Sequence, residues 1–179
     1  MGAGKSEVAK LLKRRGFLVI DADELAHKLY APQSAVWCEV VKAFGSRILN
    51  RGGVINRGKL GDLVFNDKSA LEKLDRIMQP RIKEEIRKQT AVSSKRIVAI
   101  NAALPQLFEG LVDKVWVVVA SREKRLRRLI KGGLPKEEAV RRMRTQMSQA
   151  EYLKRADVVI KNEGTLKQLN VQVQADLKL

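Results

Sequence analysis

The chain has 179 residues, 45% hydrophobic and only 4% aromatic, and its 36 Lys and Arg against 20 Asp and Glu give a formal charge of +16. That length suits one domain with inserts, able to bury roughly 70% of its unfolded surface around a core of Leu, Val, Ile and Ala. The charge attracts polyanions without choosing among nucleic acid, acidic membrane and phosphorylated nucleotides, the single Cys38 excludes an internal disulfide and a Cys-rich metal site, and no run approaches the ~18 apolar residues of a membrane span, so a cytoplasmic protein is expected.

The chain opens on Met1-Gly2-Ala3-Gly4-Lys5-Ser6, the second half of a phosphate-binding loop. Glycines in such a loop let backbone N–H groups approach phosphate oxygens closely, and the following helix aims its positive end at the same oxygens. Lys reaches the β- and γ-phosphates, and the Ser hydroxyl is a Mg²⁺ ligand. The full pattern is Gly-x-x-x-x-Gly-Lys-[Ser/Thr]. Its first glycine would fall just before Met1, and the strand that feeds the loop is not in this sequence. The expectation is therefore that the natural protein begins roughly ten residues earlier, with an apolar strand ending in glycine. The start also fits the myristoylation pattern Met-Gly-x-x-x-Ser, but the phosphate loop explains the same residues jointly.

Glu7 to Arg15 places Val8, Leu11 and Leu12 on one helical face, and Gly16 stops the helix. Phe17 to Ile20 is an all-apolar strand suited to a covered parallel sheet. It ends in Asp21-Ala22-Asp23, at the strand end where open α/β sheets place their sites. Two readings stand there: a pair of chemically active carboxylates, or Asp21 in a turn with Asp23 capping a helix from Glu24 to Tyr30. Cys38 reads as a small buried hydrophobe on a helix.

Ala35 to Phe44, Arg57 to Phe65 and Lys68 to Thr90 carry helical spacing, with breaks at Gly45 and Gly52-Gly53. No apolar alternation appears between Pro32 and Ser94, so residues 31–94 read as a helical insert. Arg76, Arg81, Lys83 and Arg87 mark its last helix, and most of them read as a solvated face. Arg96 to Ile100 and Lys114 to Val119 are β-branched strands. Ser121 caps a helix from Arg122 to Lys131, broken by Gly132-Gly133. Pro135, Glu137 and Glu138 start the next, which carries Arg141, Arg142 and Arg144. Asp157 to Lys161 is the last strand. Thr165 starts an amphipathic helix with Leu166, Leu169, Val173 and Leu177. Internal repeats, low-complexity linkers and zinc spacings are not found.

Val19-Ile20-Asp21-Ala22-Asp23-Glu24-Leu25-Ala26-His27 resembles the Val-Ile-Asp-Ala-Asp-x-x-Ala-Arg stretch of dephospho-CoA kinases. The likeness continues in order through Phe44-Gly45 with Ile48-Leu49, Arg57 with Leu60-Gly61 and Val64-Phe65-Asn66-Asp67, Leu107-Phe108-Glu109, Val115 to Val118, and Ala156 to Gly164. It covers nearly the whole chain. The resemblance implies an α/β fold: a P-loop kinase-like parallel sheet flanked by helices, with a helical substrate-binding insert and a helical lid over residues 122–150. It implies ATP-dependent phosphorylation of the ribose 3′-hydroxyl of dephospho-CoA, with Mg²⁺.

The resemblance further implies that Gly2, Ala3, Gly4, Lys5, Ser6 and Glu7, with Asn162, bind the nucleotide, and that Ser6 ligates Mg²⁺. Asp23 would take the hydroxyl proton. Asp21, Asp23, Arg57 and Arg81 would hold the acceptor. Arg142, four residues before Gln146, falls where the family's lid pattern Arg-x-x-x-Gln falls, and would neutralise charge on the transferred phosphoryl. The chain departs from the family at His27 for Arg, Gln79-Pro80 for His-Pro, and Lys131-Gly132-Gly133 for Arg-Asp-Gly. Asn101 or Ala103 stands where an acid is usual, so a supporting carboxylate is lost. Alternatives are another nucleoside or nucleotide kinase, a degenerate P-loop protein, or a nucleic-acid-binding protein. The last is disfavoured because the basic residues lack interleaved aromatics for base stacking.

Overall fold

The computed structural model describes residues 1–95, 97–144 and 146–177. Arg96, expected to open a strand, lies outside the described residues. In chain order the first elements are α1 (Lys5–Arg14), β1 (Leu18–Asp21), α2 (Ala22–Leu29), α3 (Ala35–Phe44), α4 (Arg57–Asn66) and α5 (Lys68–Ala91). There follow β2 (Val98–Asn101), β3 (Trp116–Val119), α6 (Arg122–Lys131), α7 (Lys136–Arg144), α8 (Gln149–Leu153), β4 (Val158–Lys161) and α9 (Leu166–Asp176). The fold is α/β, with short sheets flanked by helices. No helix among the described residues is long and apolar enough to cross a membrane.

The chain forms two compact units, one of residues 1–19 and 103–179, the other of residues 20–102. In the first, β3 and β4 pair in parallel, with Val118 opposite Ile160. Val8 of α1, Ile160 of β4, and Leu169 and Val173 of α9 are buried together. Leu11 and Leu12 join the same cluster, as their helical spacing predicts. Leu177 packs there too, but Leu166 is 64% exposed. It is the first residue after the Thr165 cap, and the face that descends into the core begins one turn later.

The second unit contains the helical block, and β1 lies beside β2. Its core gathers Val36, Val40 and Phe44 of α3 with Ile48, Ile55, Leu60, Val64 and Met78. Helix α3 starts where the Ser34 hydroxyl accepts from Trp37 N at 3.0 Å, and it ends at Gly45 with φ 78°. The buried stripe recurs every fourth residue. Cys38 falls off that stripe and is exposed, contrary to the buried role expected from its residue type. Asp67 caps α5 by accepting from Ser69 N and Ala70 N, and the helix runs on through Pro80.

Candidate active site

The phosphate-loop residues belong to the first unit. Gly4 adopts φ 103°, a left-handed conformation that side chains disfavour, and it delivers the chain into α1 at Lys5. The helix thus begins two residues before the predicted Glu7, with Lys5 and Ser6 in its first turn. Gly4 O accepts from Glu7 N at 3.0 Å and Val8 N at 3.2 Å. The Ser6 side is exposed. Glu7 pairs with Lys10 at 2.8 Å.

The loop is held from outside by residues far along the chain. Asn162, 6% exposed at the end of β4, donates from Nδ2 to Ala3 O at 2.8 Å. Arg128 Nη1 donates to Gly2 O at 3.4 Å and Ala3 O at 3.3 Å, while Nη2 donates to Asn162 O at 3.0 Å and Oδ1 at 3.3 Å. Arg125 Nε donates to Met1 O at 2.9 Å. A Cβ on Gly2 would come within 2.7 Å of Arg125 O, and one on Gly4 would overlap Asn162 Nδ2. Sequence reasoning gave Arg125 and Arg128 no role. Their loop partners are more than a hundred positions away, and an arginine on a polar helix has no local signature.

On α7, one carboxylate takes both neighbouring arginines. Arg141 Nε donates to Glu138 Oε2 at 2.8 Å and Arg142 Nε to Glu138 Oε1 at 2.6 Å. These bonds, Arg142's first and then Arg141's, hold the Glu138 carboxyl below the usual carboxylate range. Gln146 accepts from Arg125 at 3.5 Å and from the Met1 amine.

The second unit carries the carboxylates. Asp21, not Asp23, is the helix cap: its Oδ1 accepts from Asp23 N at 3.1 Å and Glu24 N at 3.0 Å. Helix α2 therefore starts at Ala22, and Asp23 is exposed in its first turn. Asp21 Oδ2 accepts from Asn101 Nδ2 at 2.6 Å. His27 is exposed on the same helix. Arg57 opens α4, and its charge is felt at Tyr30, whose hydroxyl burial nevertheless pushes up to about 12. Arg81 donates to Glu39 at 2.8 Å and lies 3.7 Å from Glu84.

A cluster of three or more His, Cys, Asp or Glu able to cage a metal is absent among the described residues. A cation beside a phosphate loop is held mainly by phosphate and water. Mg²⁺ prefers such a setting, keeping its waters and taking few protein ligands. The exposed Ser6 hydroxyl fits that role.

A sequence model of the family described as dephospho-CoA kinase matches residues 1–168. The dephospho-CoA kinase of Carboxydothermus hydrogenoformans is 38% identical across 97% of this chain and 87% of its own length. That of Aquifex aeolicus is 39% identical across 97% and 90%. Among solved structures, TT1252 from Thermus thermophilus superimposes with a TM-score of 0.86 at 30% identity, covering 99% of this chain and 92% of that one. The dephospho-CoA kinase from Campylobacter jejuni gives 0.68 at 27% identity, with the same coverage. With the glycine-braced loop running into α1 and a family match over nearly every residue, this chain belongs to the dephospho-CoA kinase family.

Proposed function

We infer that the protein transfers the γ-phosphoryl group of ATP to the ribose 3′-hydroxyl of dephospho-CoA, giving coenzyme A and ADP. The observation that carries this reading is the family match over residues 1–168. The cytoplasm is the compartment in which both substrates would be met.

Each residue's part follows from its chemistry. Lys5 and the amides of Gly2 to Glu7 hold the β- and γ-phosphates. Asp23 accepts the proton as the 3′-hydroxyl attacks, and its exposure leaves it open to an incoming acceptor. Asp21, engaged as a cap, orients the turn that carries Asp23 and contributes to the acceptor side. Arg57 and Arg81 offer cationic donors to the phosphates of the acceptor. Arg142 meets charge developing on the transferred phosphoryl. Asn162 serves the nucleotide end. Ser6 would supply a hydroxyl to Mg²⁺, which would neutralise phosphate charge when bound. Positioning and electrostatics account for most of the rate in phosphoryl transfer, because little covalent chemistry is left to the protein.

A coupled assay for ADP release tests the reading, with dephospho-CoA, adenosine and CMP offered separately as acceptors. Turnover with dephospho-CoA alone is expected. Turnover with adenosine or CMP instead would reassign the enzyme to another nucleoside or nucleotide kinase. Silence with all three would remove the kinase activity.

A further inference from the structure

We propose that Arg128, acting together with Asn162, is a positioning residue for the phosphate loop: it fixes the loop's carbonyls on one side so that its amides face the nucleotide on the other. This rests on the kinase reading only for what the nucleotide is.

The argument starts from peptide geometry. A trans peptide is planar, with its C=O and N–H pointing to opposite sides. Tethering the carbonyl of one residue therefore aims the N–H of the next. Arg125 holds Met1 O, which sets the Gly2 amide. Arg128 holds Gly2 O, which sets the Ala3 amide. Arg128 and Asn162 both hold Ala3 O, which sets the Gly4 amide. Three successive carbonyls are thus held on the side of α6 and β4, and three successive N–H groups are aimed away from the arginines. A concavity of consecutive amides is what an anion needs.

Asn162 is itself aligned. Its backbone N donates to Val119 O at 2.8 Å, which ties it to the end of β3. Its Oδ1 accepts from Arg128 Nη2, so its Nδ2 is the atom turned toward Ala3. Arg128 is therefore the hub, bonding the loop directly and orienting the amide that bonds it again. A lysine has one point of charge and cannot reproduce this fork. Arg125 and Arg128 lie three positions apart on α6, on one helical face. The glycines supply an independent observation. A Cβ on Gly2 would collide with the α6 backbone and one on Gly4 with Asn162, so the brace lies too close for any larger residue. Glycine at these places serves the brace on the outside as well as the phosphate on the inside.

The test uses the full chain and the substitutions Arg128→Gln, Arg128→Lys and Asn162→Asp, with Arg127→Gln as a control on the exposed side of α6. Binding of a fluorescent N-methylanthraniloyl ATP is measured by anisotropy, KM values by coupled assay, and thermal melts alongside. Arg128→Gln and Asn162→Asp are expected to weaken nucleotide binding and raise the ATP KM roughly tenfold or more, the size of a lost charge-assisted bond. Arg128→Lys should fall between them and the parent. The KM for dephospho-CoA and the control should stay within about twofold of the parent. An ATP affinity unchanged in Arg128→Gln would overturn the proposal. So would a rise in both KM values in step with a fall in melting temperature, since that is generic unfolding. If the parent binds the ATP analogue and Arg128→Gln loses it, yet dephospho-CoA is not phosphorylated, the brace stands and the acceptor assignment falls. If the parent binds no analogue, both fall.

Discussion

Asn101 Nδ2 donates a 2.6 Å hydrogen bond to Asp21 Oδ2, while the other oxygen of the same carboxylate caps α2. Asn101 or Ala103 stands where the family resemblance leads one to expect an acid, and of the two it is Asn101 that bonds Asp21. A donor faces Asp21 where an acid would bring a second negative charge.

Asn101→Asp would put two carboxylates in contact. One of the pair would then have its pKa raised in the folded state above its unfolded value. Stability from such a group is present below the unfolded pKa and is lost as pH rises through the folded one. The variant should therefore be less stable than the parent at neutral pH by about 1.5–3 kcal/mol, the loss of a hydrogen bond to a charged group. The deficit should shrink as the pH enters the carboxylate range, near about 4. Urea unfolding in EDTA at neutral and acid pH checks this. An equal deficit at both would mean that charge is not the cause.

Asp21 caps α2, whereas Asp23 is proposed to take the hydroxyl proton, and two substitutions separate these roles. Asp23→Asn should lower kcat by about 10²- to 10⁴-fold, the contribution of a positioned base, with both KM values and the melting temperature little changed. Asp21→Ala should cost ~1 kcal/mol of stability through the lost cap, and lower the melting temperature. If Asp23→Asn keeps its kcat, another group takes the hydroxyl proton.

On α7, Glu138 bonds both Arg141 and Arg142 and is held below the ordinary glutamate range by them. A depressed carboxylate contributes stability above its unfolded pKa and loses it as pH falls through the folded value. The melting-temperature difference between the parent and Glu138→Gln should accordingly be present at neutral pH and vanish on acidification below the usual glutamate range. Arg142→Ala should act on rate instead, lowering kcat by roughly 10³-fold if the guanidinium meets the transferred phosphoryl. A drop confined to melting temperature would make Arg142 a helix residue only.

Local signals gave the elements that have local causes. Helix α3 ends at the expected Gly45, and Ser121 and Gly132 bracket α6, so these bounds are the ones read from the sequence. Asp-Ala-Asp was harder, since either acid can cap. Asp21, which caps, also bonds Asn101, eighty residues away in the chain, a contact that no local signal announces. Cys38 is exposed because its place on the helix outweighs its residue type. The loop's glycines were legible, but the arginines that brace them were not. Hydrogen bonds from Arg125 and Arg128 to Met1, Gly2 and Ala3 leave no periodic trace.

Ile160 offers a test of how the core supports the loop. It is fully buried on β4, against Val8 of α1 and Leu169 and Val173 of α9. Ile160→Ala removes buried methyl and methylene groups and leaves a cavity, at a cost of about 2–5 kcal/mol. The weakened contact is with α1, whose first turn carries Lys5 and Ser6. Hydrogen exchange should therefore quicken in α1, β4 and α9, and the ATP KM should rise. Amides of α3 to α5 have their own core around Val40 and Ile48, and should keep their protection. Ile48→Ala should reverse the pattern, exposing the helical block and sparing α1. Faster exchange everywhere in both variants would mean that the two cores melt as one, and that the nucleotide loop draws its rigidity from the whole chain rather than from Val8 and Ile160.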